Sequence, residues 1–121
     1  MRTHFHFSPL CAASACFGNE DEGVMIAAAS DEFWDNGGAC GKMYQVKCLS
    51  GTNQGTPFPC QGSDSVVVKI IDHCPSGCRG TIDLSQEAFA SIADSNAGVI
   101  NISFHQYEPY PDIYVSIFLV F

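Results

Sequence analysis

The stretch "SVVVKIIDHCPSGCRGTIDLSQEAFASIAD", Ser65 to Asp94, carries the decision between the possible folds. Its first eight residues, Ser65 to Asp72, are rich in Val and Ile and almost continuously apolar, which suits a central strand covered on both faces. Its last ten read as a helix, because Phe89 and Ile92 are three apart and Ala88 falls on the same inward side. Between them stand two carboxylates, Asp72 and Asp83, and two cysteines, Cys74 and Cys78. Such a junction fits a catalytic acid pair, a metal clasp or a stapled turn between strands.

The same short-strand pattern extends outward. In "KMYQVKC" (Lys42 to Cys48), Met43, Gln45 and Lys47 alternate with Tyr44, Val46 and Cys48, as in a half-buried strand. "GVINISF" (Gly98 to Phe104) alternates again, with Ile100, Ile102 and Phe104 sharing a face. "LSGTNQGTPFPCQGSD" (Leu49 to Asp64) is dense in Gly, Pro, Ser and Asn and reads as a loop with Cys48 and Cys60 at its neck. Many strands, one helix and no flexible linker predict a small, mainly-β barrel with one short helix packed on it.

A chain of 121 residues has room for one domain. Seven cysteines in that length point to a disulfide framework made in an oxidising compartment. Thirteen acidic residues face five basic ones, and Arg2, Lys42, Lys47, Lys69 and Arg79 are scattered. Nucleic acid and anionic membranes, which require a basic patch, are therefore excluded as partners. The N-terminal "MRTHFHFSPLCAASAC" has two His and a Pro where an export signal needs a continuous apolar run of about 7–15 residues, so it does not read as a signal peptide. The C-terminal "DIYVSIFLVF" is about half as long as a membrane-spanning helix must be, and no membrane insertion is expected.

"GACGKMYQVKC", "VVVKIIDHCPSGCRGTIDLSQEAFASIA" and "GVINISF" resemble, in order and spacing, the double-psi β-barrel of expansins, the barwin-like domain and above all the plant natriuretic peptides. The resemblance covers about Ser14 to Phe104 and includes "SACFGNEDEGVMIAAASDEFWDNGGACG" and "TNQGTPFPC". It implies a six-stranded, disulfide-stapled double-psi barrel over residues 14–104, with 1–13 as an atypical leader and 105–121 as an atypical C-terminal extension. It also implies the pairs Cys16 with Cys40, Cys48 with Cys60 and Cys74 with Cys78, leaving Cys11 over. Closing the two longer loops would contribute about 2–4 kcal/mol each. A zinc reading would use His73, Cys74 and Cys78 but lacks a fourth ligand at a recognisable spacing, so neither metal nor cofactor is expected.

Asp83 has two readings. It can cap the following helix with Gln86 completing a capping box, or Ser85 can take that role and leave Asp83 free. By resemblance, Asp83 matches the aspartate of the expansin His-Phe-Asp motif, the proton donor of family 45 glycoside hydrolases, and Asp72 matches a second groove aspartate. The base of those enzymes comes from the N-terminal strand. Here that strand reads "THFHF", with His4 and His6 but no carboxylate, and Phe5 and Phe7 stand at the family's Thr and Tyr positions. Trp34, Phe33, Phe58 and Tyr44 are candidates for an aromatic platform, His73 and His105 read as surface groups, and "NEDEG" (Asn19 to Gly23) reads as a solvated loop.

The resemblance therefore implies a secreted, apoplastic, non-enzymatic monomer that signals in ion and water homeostasis through a plant membrane receptor, using about Asn19 to Cys48. The alternative is cell-wall polysaccharide binding or loosening through a groove holding Asp72, Asp83, Tyr44 and Trp34, with residual glycosidase chemistry through Asp83 in third place.

Overall fold

A computed structural model of the chain describes residues 14–52, 56–74 and 80–107 in full and residues 2–7 by their backbone. The Val- and Ile-rich run forms β4 (Val66–His73). It lies between β2 (Ile26–Ala29) and β3 (Met43–Gly51), so its central position is as expected. Its cover is less complete: Val68, Ile70 and Ile71 are buried, whereas the remaining residues are half-exposed. The predicted alternation of "KMYQVKC" is present in β3, where Val46 is fully buried between exposed Met43 and Lys47. β5 (Ile82–Ser85) and β6 (Val99–Gln106) follow, and β1 (Arg2–Phe7), from within the 1–13 leader, completes the set.

The strands are hydrogen-bonded in the order β1-β5-β2-β4-β3-β6, and β6 returns to β1, closing a barrel. β1 with β5 and β2 with β4 run parallel, and the other neighbours are antiparallel. Inside, Ala27, Ala29, Val46, Val68, Ile70, Ile82, Leu84, Ile100 and Ile102 form one apolar cluster. The mainly-β class is as the sequence predicts.

The helix over "SQEAFASIAD" is α2 (Gln86–Ile92), which buries Ala88, Phe89 and Ile92 against that cluster. Ser85 settles the capping alternative. Its Oγ accepts from the Ala88 N–H at 3.1 Å and donates to the Val24 carbonyl at 2.6 Å, fixing the helix start to the loop before β2. Asp83 is left on β5.

The expectation of a single helix needs correction. A one-turn helix, α1 (Asp31–Trp34), follows β2 and leads into a 3-10 turn at Asp35–Gly37. Four residues cannot show helical periodicity in a sequence, and Phe33 within the turn departs from helical geometry (φ −127°).

Cys16–Cys40 and Cys48–Cys60 are bonded with Cα–Cα separations of 5.5 Å in both, as the resemblance implies. Cys74 is disulfide-bonded. Its expected partner Cys78 lies outside the described residues, as does Cys11. β6 continues past the expected domain end at Phe104: His105 and Gln106 pair with Gln45 and Tyr44, and the Tyr107 N–H donates to the Met43 carbonyl at 2.7 Å. The remainder of the 105–121 extension lies outside the described residues.

Candidate functional site

β2 is the hinge of the site. Its neighbours put Asp72 and Asp83 on either side of the same residue, Ala28, which pairs with Asp72 of β4 and with Asp83 of β5. Ala27 and Ala29 point into the core cluster together with Ile82 and Leu84, so Ala28 and Asp83 occupy the opposite face. Regular alternation would send Asp72 the other way, to the side of Val68 and Ile70. An irregularity in the β2–β4 register between Ala27 and Ala28 takes up Ile71 as an extra residue and brings Asp72 level with Ala28. The two carboxylates thus stand two strands apart, about 9–10 Å backbone to backbone.

Their surroundings differ. Asp72 Oδ1 accepts from the Ala15 N–H at 3.0 Å and from the His73 N–H at 2.9 Å, holding the segment before Cys16 against β4. Asp83 is only 8% exposed, and burial pushes its carboxyl up to about 7, because the charged form loses solvation there. Its Oδ2 lies 3.8 Å from Cys74 Sγ. A disulfide sulfur has no proton to give, so a hydrogen bond across that contact is donated by the protonated carboxyl.

The aromatic residues gather at the end of the barrel beside α1. An open cleft of about 670 Å³ is lined by Asp31, Glu32, Phe33, Trp34, Asp35, Asn36, Lys42, Tyr44 and His73. Within it the Trp34 and His73 rings lie stacked, 4.7 Å between centroids and 8° from parallel. His73 Nε2 is in hydrogen-bond contact with the Asp31 carboxylate. Tyr44 is fixed from behind by edge contacts to Phe33 and Phe104, with centroids 5.7 and 5.6 Å away. Its ring therefore cannot swing freely into the cleft.

Of the residues expected in one groove, Trp34 and Tyr44 share this cleft, whereas Asp72 and Asp83 are not among its lining residues. Asp72 adjoins the cleft through its neighbour His73. Phe58, another platform candidate, is 98% exposed in the loop closed by Cys48–Cys60 and has no ring contact among the described residues. The acidic "NEDEG" segment is exposed at Asn19, Glu20, Asp21 and Gly23, as a solvated loop would be, and Glu22 alone turns inward to an ion pair with Lys69, whose ammonium also lies 4.7 Å from the Phe17 ring centroid. His73 carries more than the surface role read from sequence. Its partner Asp31 is forty-two positions away, and no local pattern signals such a pair.

Residues 26–104 match the family model described as lytic transglycolase. An EG45-like domain containing protein of Citrus jambhiri is 57% identical over 100 residues, covering 83% of this chain and 76% of the relative. An EG45-like domain containing protein of Arabidopsis thaliana is 62% identical over 89 residues, covering 74% and 71%. Among solved structures, an aspartate-to-asparagine variant of the Clavibacter michiganensis expansin in complex with cellohexaose superposes with a TM-score of 0.62 at 28% identity. That match covers 88% of this chain and 48% of the expansin, so the chain spans about half of that protein's length. With the family model spanning most of the chain and EG45-like relatives well above half identical, the chain belongs to the expansin-like, barwin-like domain family.

Proposed function

We propose that this protein is a non-enzymatic cell-wall polysaccharide binder whose cleft takes a segment of β-glucan across Trp34 and Tyr44. The observation that carries the reading is the half-exposed Trp34 ring held flat on His73 beside Tyr44 in an open cleft. Sugar rings present apolar C–H faces to such aromatics, while Asp31, Glu32, Asp35, Asn36 and Lys42 supply acceptors and donors for the hydroxyls. The cellohexaose complex of the expansin neighbour supports a glucan as ligand. Parallel pairing of β1 with β5 and β2 with β4 supports a double-psi connectivity that takes in β1 as well as the strands of residues 14–104.

Hydrolysis is excluded from the proposal. Asp83, protonated below about pH 7, fits a general acid, but Asp72 is engaged by two backbone amides and β1 offers no carboxylate to activate water. The disulfides support an extracellular, wall-side location, and the net charge of −8 supports a monomer.

Signalling in ion and water homeostasis through a membrane receptor is the second reading. One observation favours it: every cleft-lining residue except His73 falls within Asn19 to Cys48, the segment to which the resemblance assigns that activity. The test uses the intact protein on insoluble cellulose and on plant protoplasts. Retention on cellulose that is lost in Trp34→Ala, with no reducing sugar released, supports glucan binding. Protoplast swelling without cellulose retention would transfer the cleft to the receptor reading, and sugar release abolished by Asp83→Asn would make the protein an enzyme.

A further inference from the structure

We infer that the outer face of β3 and β6 holds a second, small binding site for a hydroxylated carboxylate of the hexuronic acid class. Alternation along β3 buries Val46 and turns Gln45 and Lys47 outward, and along β6 it buries Ile102 and turns Ser103 and His105 outward. The register pairs Gln45 with His105 and Lys47 with Ser103. Four polar side chains therefore form a rectangle on one face, about 5 Å across and about 7 Å along the strands. Asp64 and Ser65 complete the rim, and the Gln45 amide donates to Ser65 Oγ at 2.9 Å. These six residues line a pocket of about 310 Å³, at the small end of the range for ligand sites and large enough for one sugar ring.

The charges choose the ligand. Among the described residues, Lys69 and His73 have acidic partners in Glu22 and Asp31, whereas Lys47 and His105 have none within ion-pair distance. In a chain with thirteen acidic and five basic residues, an unpaired lysine beside a histidine in one concavity is a local attraction for an anion. The pocket has no aromatic lining, so it does not offer the stacking surface that a neutral glucan would use. What it offers is a cationic side for a carboxylate and, in Gln45, Asp64, Ser65 and Ser103, partners for vicinal hydroxyls. The pocket lies on the opposite face of β3 from Tyr44, so it stands or falls independently of the cleft.

Amide NMR titration of the intact protein with D-galacturonate, D-galactose and acetate tests this site. Galacturonate is expected to shift the Lys47, Ser103 and His105 resonances saturably, with galactose and acetate at least about tenfold weaker. Lys47→Gln is expected to weaken galacturonate about tenfold. Asp64→Asn, which removes the like charge at the rim, is expected to tighten it. Both positions are exposed strand or loop surface, so both variants should fold. Absence of localised shifts, equal response to galactose or acetate, or indifference to Lys47→Gln would each overturn the assignment.

Discussion

The Trp34 indole lies against the His73 imidazole with the two planes 8° from parallel and the centroids 4.7 Å apart, while Asp31 holds the far side of the imidazole. Trp34 comes from a one-turn helix and His73 from the end of a long strand, so the contact joins the most weakly built element of the cleft to a well-paired one. Two consequences follow for Trp34: its orientation is fixed and one face is covered.

His73→Ala should therefore loosen Trp34 without unfolding the barrel, because His73 is partly exposed and outside the core cluster. Trp34 is the chain's one tryptophan, so intrinsic fluorescence reports on it alone. A red shift on His73→Ala with a cooperative unfolding transition retained is expected, together with glucan affinity reduced severalfold. An unchanged spectrum would show that the stack does not position the indole.

Asp83 should make stability depend on pH in the direction opposite to an ion-paired carboxylate. Its folded pKa of about 7 lies above the ordinary carboxylate value of 3.8, so between those values the folded state holds the proton more tightly than the unfolded chain. Stability should fall as pH rises through that window, by a few kcal/mol at most. Asp83→Asn removes the titration. Denaturant unfolding from pH 5 to pH 8 should show a declining midpoint for the parent and a flatter profile for the variant, and parallel profiles would contradict the burial argument.

The chain end gives a graded prediction. Truncation after Tyr107 keeps all the β6 pairing described and should leave stability unchanged within about 0.5 kcal/mol. Truncation after Phe104 removes the partners of Gln45 and Tyr44 and the Tyr107 hydrogen bond, and should cost about 1–3 kcal/mol. Thermal unfolding of the two truncations distinguishes them, and equal stability would show that the last β6 residues add nothing.

Peptide mapping without reduction should recover Cys16–Cys40 and Cys48–Cys60, with Cys74 joined to Cys78. Replacing both Cys48 and Cys60 by Ser should cost about 2–4 kcal/mol, because that bond closes the Gly- and Pro-rich loop after β3. A Cys11–Cys16 fragment would contradict the pairing.

The strands with a strong local signature are legible in the sequence: β4 by its β-branched content over Ser65 to Asp72, β3 and β6 by alternation over Lys42 to Cys48 and Gly98 to Phe104, although β3 runs on to Gly51 in what reads as loop and β6 to Gln106. β2 is not, since three alanines in "IAAA" favour no strand on their own and are buried because neighbouring strands enclose them. The sequence leaves two residues for the helix cap, and the hydrogen bond that Ser85 Oγ accepts from the Ala88 N–H chooses Ser85. Among the site residues, Trp34 and Tyr44 were found by type. Asp72 and Asp83 were found by resemblance, yet their placement depends on an irregularity at Ile71 that no spacing reveals. The Asp31–His73 pair is not legible in the sequence, because contacts between distant elements leave no periodic mark.

Titration of Trp34 fluorescence with cellohexaose tests the central claim most directly. A β-glucan seated in the cleft against Trp34 should give a saturable change in emission, with affinity lost in Tyr44→Ala because the second ring of the cleft is gone. Emission that stays constant up to saturating oligosaccharide, or a change that is identical in Tyr44→Ala, would contradict the cleft as the glucan site.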